Sequence, residues 1–180
     1  MGQVPARSKP QPIKIFCGLI GGQEAIGQAV DSLAVHFGEI DCRSPAFPFG
    51  FTDYYRGEMG DDLLRTWIAF RTLRERAYLP LAKHLSVLTE CDLAKGDRRT
   101  VNIDPGYVDD AQVVLATTKN FAHRIYIGMG YYAEVTLVYV NKDFRPVDWT
   151  YPDYKSEEGL AFFRQARRAY HQQVRADHGA

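Results

Sequence analysis

The chain has 180 residues, 46% of them hydrophobic, and its 22 Lys plus Arg balance 22 Asp plus Glu, for a formal charge of zero at pH 7. That composition excludes a collagen-like, disordered or disulfide-stapled chain, and a domain of this length can bury enough surface to fold without a metal or cross-link. It also counts against duplex DNA as a partner, since such binders draw much of their affinity from a basic excess that neutralises phosphates.

Residues 1–12 are polar, hold three prolines and lack an apolar run, so they read as a disordered lead rather than a signal peptide. A single α+β domain is expected over residues 13–176. Residues 13–20 (IKIFCGLI) are β-branched and aromatic and read as a buried strand. In residues 23–37, Ile26, Val30, Leu33, Ala34 and Phe37 recur at helical spacing, and Gly38 ends the helix. Pro45 and Pro48 keep the aromatic stretch that follows out of a central strand at first, so its strand is expected over residues 49–55. Gly57 and Gly60 mark a turn. Residues 63–73 (LLRTWIAFRTL) alternate well enough to favour a strand over a helix. A second helix is expected over residues 77–93, with Pro80 in its first turn.

The second half reads as sheet. A short strand at residues 99–103 is expected to end in the turn Asp104-Pro105-Gly106-Tyr107. Strands follow at residues 113–118, 123–127 and 131–140, the last two joined at Gly128-Met129-Gly130, and a further strand at 144–149. Ser156, followed by Glu157 and Glu158, caps a final helix that runs to about residue 174 and buries Phe162, Phe163, Ala166, Ala169 and Tyr170. The order is β-α-β-β-α-β, a ferredoxin-like split βαβ core, extended by an antiparallel β-meander and a C-terminal helix.

Three cysteines, Cys17, Cys42 and Cys91, are odd in number and form no CxxC pair, which suits reduced structural thiols in the cytoplasm. All three sit in or beside apolar segments and read as buried and inert. No apolar run is long enough to cross a bilayer. The strand-glycine-helix passage at Gly22 to Gly27 has the glycine spacing of a phosphate loop. Gln28 and Ala29 stand where the loop needs Lys and Ser or Thr, so a plain strand-to-helix turn is the reading. Arg164, Arg168, His171 and Arg175 form a basic stripe on the last helix, read as a solvated face whose cations suit the helix dipole.

Polar and ionisable residues concentrate at the ends of the expected strands: Asn102, Asp104, Tyr107, Lys119, His123, Arg124, Tyr126 and Glu134. Two segments set an aspartate between tyrosines, Asp53 beside Tyr54 and Asp153 between Tyr151 and Tyr154. Together these residues suggest a pocket for a small anionic ligand, a nucleotide or sugar phosphate. Lys119, His123 and Arg124 would meet the anion, and tyrosines would stack on the rest. Two further readings stay open. In a metal-assisted hydrolase or phosphoesterase, Asp53, Asp104 and Glu134 would hold the cation and His123 would move the proton. In an interaction module, surface aromatics and the basic stripe would bind a protein or single-stranded RNA. No motif names a cofactor, a catalytic residue, a metal ligand or an oligomeric state.

The strings FPFGFTDYY, VNIDPGYV, LATTKNFAHRIYIGMGYYAEVTLVY and WTYPDYKSEE resemble the signature blocks of a bacterial family, the domain of unknown function numbered 4416. The blocks keep the family's order and fall on the polar positions singled out above. The family carries no assigned activity. Some members bear the label of a GTP-binding protein, which the resemblance would bring with it. In this chain, Asn141-Lys142-Asp143 stops one residue short of the Asn-Lys-x-Asp guanine reader.

Overall fold

The computed structural model describes residues 10–178; residues 1–9 of the expected lead lie outside the described residues. The chain runs through β1 (Ile13–Gly21), α1 (Gln23–Phe37), β2 (Ile40–Arg43), β3 (Phe47–Pro48), α2 (Arg56–Met59) and β4 (Leu64–Arg74). A 3-10 turn (Arg76–Tyr78) leads into α3 (Leu79–Asp92). Then come β5 (Val101–Val108), β6 (Gln112–Thr117), β7 (Ile125–Gly128), β8 (Tyr131–Val140), β9 (Asp143–Pro146), α4 (Pro152–Lys155) and α5 (Glu157–His178). The result is a mixed α+β domain around one antiparallel sheet, ordered β2-β4-β1-β5-β6-β8-β7, with β3 also on β4 and β9 also on β8.

Alternation along the central strands decides which layer each residue joins. Ile13, Ile15, Cys17 and Leu19 of β1 pack with Ile26, Leu33 and Phe37 of α1 and Leu79 and Ala82 of α3. Phe16 faces the other way, into an aromatic cluster with Trp67 of β4, Phe144 of β9, and Phe162 and Phe163 of α5. Its ring meets that of Phe163 edge-on, with centroids 5.0 Å apart. Lys14 is buried on this side too, where its Nζ donates to Asp41 at 2.7 Å and to the Phe70 carbonyl at 2.9 Å. The sheet thus separates two helical layers, α1 with α3 on one face and α5 on the other.

Most elements fall where periodicity put them. The Ser156 cap is present, its Oγ accepting from Gly159 N–H at 3.1 Å. The hairpin between β7 and β8 turns through positive φ at Gly128, Met129 and Gly130. Four expectations need correction. Residues 49–55 form a loop; the strands on that edge are β2 and β3, and Pro48 is tolerated there because an edge position can spare its missing donor. The last short strand covers Asp143–Pro146 rather than running on to residue 149. Cys91 is exposed, whereas Cys17 and Cys42 are buried, and burial pushes the Cys42 thiol up to about 11.

The fourth correction matters most, because β5 runs straight through Asp104-Pro105-Gly106-Tyr107 instead of turning. Gly106 is needed for close packing: a Cβ there would lie 2.3 Å from the Val114 carbonyl oxygen and 2.6 Å from the Phe16 ring. β5 is paired with β1 along its whole length but with β6 only from Gly106 to Val108. Upstream of Gly106 the two strands part. There α3 takes over the role of a strand. Lys83 Nζ donates to the Ile103 carbonyl at 3.0 Å, and Ile103 N–H donates to Glu90 Oε1. Pro105 points the same way as Ile103, towards the gap, so its missing N–H leaves no bond to β1 unmade.

Candidate functional site

A cleft of about 400 Å³ opens where β5 and β6 separate, on the α5 face of the sheet. Five strands supply its floor: Ile20 from β1, Arg65 from β4, Asp104 from β5, Leu115 to Thr117 from β6 and Glu134 from β8. Its walls are the aromatic loop at residues 49–55 and Tyr151 with the α4 residues Pro152, Asp153 and Tyr154. The volume lies in the range of small-molecule sites.

Arg65 is the residue that sequence reasoning missed. Its side chain is fully buried, sandwiched 4.6 Å from the centroid of the Trp67 ring and 5.0 Å from that of Tyr154. Nη2 lies 2.9 Å from Asp153 Oδ2, and Nη1 lies 3.9 Å from Asp104 Oδ2. Yet none of its three nitrogens makes a well-aligned hydrogen bond among the described residues. Gly18 of β1 makes room for it: a Cβ there would stand 2.7 Å from Nη2. Burial works against the charge, but Tyr154, Asp153 and Asp104 more than offset it and hold the guanidinium above the ordinary arginine value. Burial drives the Asp153 carboxyl upward, with Arg65 pulling the other way, and drives the Tyr154 phenol upward still more strongly.

Six of the expected site residues line the cleft: Tyr54, Asp104, Lys119, Glu134, Tyr151 and Asp153. Three more stand directly behind them. Asn102 donates to Asp104 Oδ2 at 2.8 Å and accepts from Arg99. Arg124 donates from Nε to Glu134 at 2.7 Å and from Nη2 to the Tyr151 hydroxyl at 3.0 Å. His123 lies parallel to Trp149 and reaches the same Glu134 oxygen at 2.8 Å; a carboxylate can only accept, which puts the proton on Nε2. These two side chains are therefore spent on Glu134 and brace the wall. Lys119 stands at the mouth, its Nζ 3.3 Å from the Tyr54 hydroxyl.

Three expected residues lie elsewhere. Asp53 is exposed and pairs with Arg56 at 3.0 Å. Tyr107 belongs to the opposite face, where its hydroxyl accepts from Arg76 and Gln112. Tyr126 is exposed on β7 and packs against Tyr132. Among the described residues, no group of three or more His, Cys, Asp or Glu side chains is arranged to hold a metal ion, and no helix is long and apolar enough to cross a membrane. In the basic stripe, Arg164 pairs with Asp143 and Glu157, and His171 with Asp110.

A family model described as "Domain of unknown function (DUF4416)" matches residues 11–170. No curated protein and no solved structure matches the chain.

Proposed function

The chain belongs to the DUF4416 family, and on that premise we propose that it binds a small anionic molecule, a nucleotide or sugar phosphate, in the cleft between β5 and β6. The observation that carries this reading is Arg65, a fully buried guanidinium on the cleft floor whose nitrogens lack aligned acceptors. A buried donor left without an acceptor is costly, and a ligand oxyanion meeting the planar fork would remove that cost. Lys119 adds a second positive charge at the mouth. Phe51, Tyr54 and Tyr151 offer ring faces for the rest of the ligand.

We read the core as a ferredoxin-like split βαβ unit, which the antiparallel order β2-β4-β1-β5 and the placing of α1 and α3 on one face support. Three free cysteines suit a reducing cytoplasm.

Calorimetric titration with nucleoside monophosphates and hexose phosphates tests the function. Arg65→Lys keeps a charge but loses the fork, and is expected to weaken the best ligand by about a hundredfold. Lys119→Ala at the exposed mouth should cost about three- to tenfold. A folded Arg65→Lys protein with unchanged affinity would remove the proposal; if that variant does not fold, unchanged affinity in Lys119→Ala and Tyr151→Ala together would do the same.

A further inference from the structure

We infer that the cleft selects a singly charged oxyanion carrying hydroxyl or amino donors on a flat ring, and discriminates against di- and polyanions. This rests on the anion-binding reading above and deepens it, towards singly charged members such as cyclic nucleotides and away from the phosphomonoesters. Two cations line the cleft, Arg65 and Lys119, beside three carboxylates, Asp104, Asp153 and Glu134. Glu134 is covered from behind by Arg124 and His123. Asp153 and Asp104 are not covered in this way, and both flank the Arg65 fork, at 2.9 and 3.9 Å.

An oxyanion that reaches Arg65 thus enters a site whose positive charge is already balanced. One negative charge can exploit the unmet N–H groups. A second charge on the same group meets Asp104 and Asp153 with no further cation on the floor among the described residues. Repulsion at such distances is little screened in a partly enclosed cleft. The carboxylates turn from an obstacle to an asset when the ligand brings donors. Asp104 spends Oδ2 on Asn102, and its other oxygen is suited to a ligand hydroxyl or amino group. The rings of Phe49, Phe51, Tyr54 and Tyr151 on the walls favour a flat body between them. At pH 7 a phosphomonoester carries about −1.5 to −2, so the shared chemistry is that of a phosphodiester or a carboxylate.

The test holds the ring constant and changes the charge. Adenosine, cyclic AMP, AMP and ATP are titrated into the protein at pH 7, with p-aminobenzoate as a ring carboxylate that carries a donor. Cyclic AMP or p-aminobenzoate is expected to bind at least about tenfold tighter than AMP, with ATP weaker still. Whichever of the two binds tighter identifies the phosphodiester or the carboxylate as the source of the charge. AMP should gain as pH falls below about 6, where it becomes a monoanion. Asp104→Asn, at a half-exposed position, should narrow or reverse the gap between cyclic AMP and AMP. Affinity that rises from cyclic AMP through AMP to ATP would overturn the single-charge inference and leave the anion cleft standing. If no anion binds better than adenosine, both readings fall.

Discussion

The two faces of the central strands solve different problems with the same backbone. On the face under α1 and α3, apolar side chains from β1, β4 and β5 meet two helices and close completely. On the face under α5, the same strands change character along their length. Phe16, Trp67 and Ala69 pack against Phe162, Phe163 and Ala166, while Ile20, Arg65 and Asp104 lie beneath loops and border open space. One face therefore holds the fold, and the end of the other holds a polar group that the fold alone does not satisfy. Natural domains commonly break their own packing rules at functional sites, and the unsatisfied Arg65 is the departure that supports the proposed one.

Substitutions on the two faces should separate stability from binding. Phe37→Ala removes a ring that is 1% exposed on the closed face and packed edge-on against Phe70, and should cost about 3–5 kcal/mol. Urea denaturation would measure that loss, and ligand affinity in the folded fraction should not change. A parallel loss of affinity would show that the faces are not independent. Gly18→Ala, one strand position from the closed-face residues Cys17 and Leu19, should do the opposite. It pushes on Arg65 and Tyr154, costs about 1–3 kcal/mol, and is expected to abolish binding. Binding that survives would mean that Arg65 can move aside without loss, and so is not the anchor.

The smallest effect belongs to the far surface, where Asp143 meets Arg164. The Arg164 hydrogen bonds lower the Asp143 carboxyl from 3.8 to about 2. A depressed carboxylate contributes stability above its unfolded value and loses it as pH falls through the folded one. The difference in melting temperature between the protein and Asp143→Asn should therefore be constant above about pH 5 and shrink as pH falls through 3.8 and then through 2. A difference undiminished at pH 2 would assign the effect to packing rather than charge.

Periodicity made much of this fold legible. The apolar spacing of α1 and α5, the β-branched run of β1 and the Gly-Met-Gly hairpin all signal themselves locally. Strands β2 and β3 do not, because four and two residues on a sheet edge carry too little pattern to be seen. Asp-Pro-Gly-Tyr looks like a turn by its own chemistry. Pairing with β1 and the close approach of Phe16 to Gly106 override that preference. Of the twelve residues singled out from the sequence, six line one cleft. Arg65 was missed because, alternating with apolar neighbours, it reads as the solvent side of a strand. A signal was present: β4 carries Trp67 and Ala69 on the same side as Arg65, so that side had to be buried as well.

The placing of β1 has a consequence for how the chain acquires its structure. The fully buried β1 is made well before its partners: Ile13 pairs with Arg74, and Lys14 with Val108. On the ribosome, an apolar segment with two open edges must wait until β4 and then β5 have emerged. Non-local pairing of this kind slows folding and leaves a sticky intermediate exposed. Among the described residues, the α1 helix, local and adjacent, is the cover closest to hand for β1 in that interval.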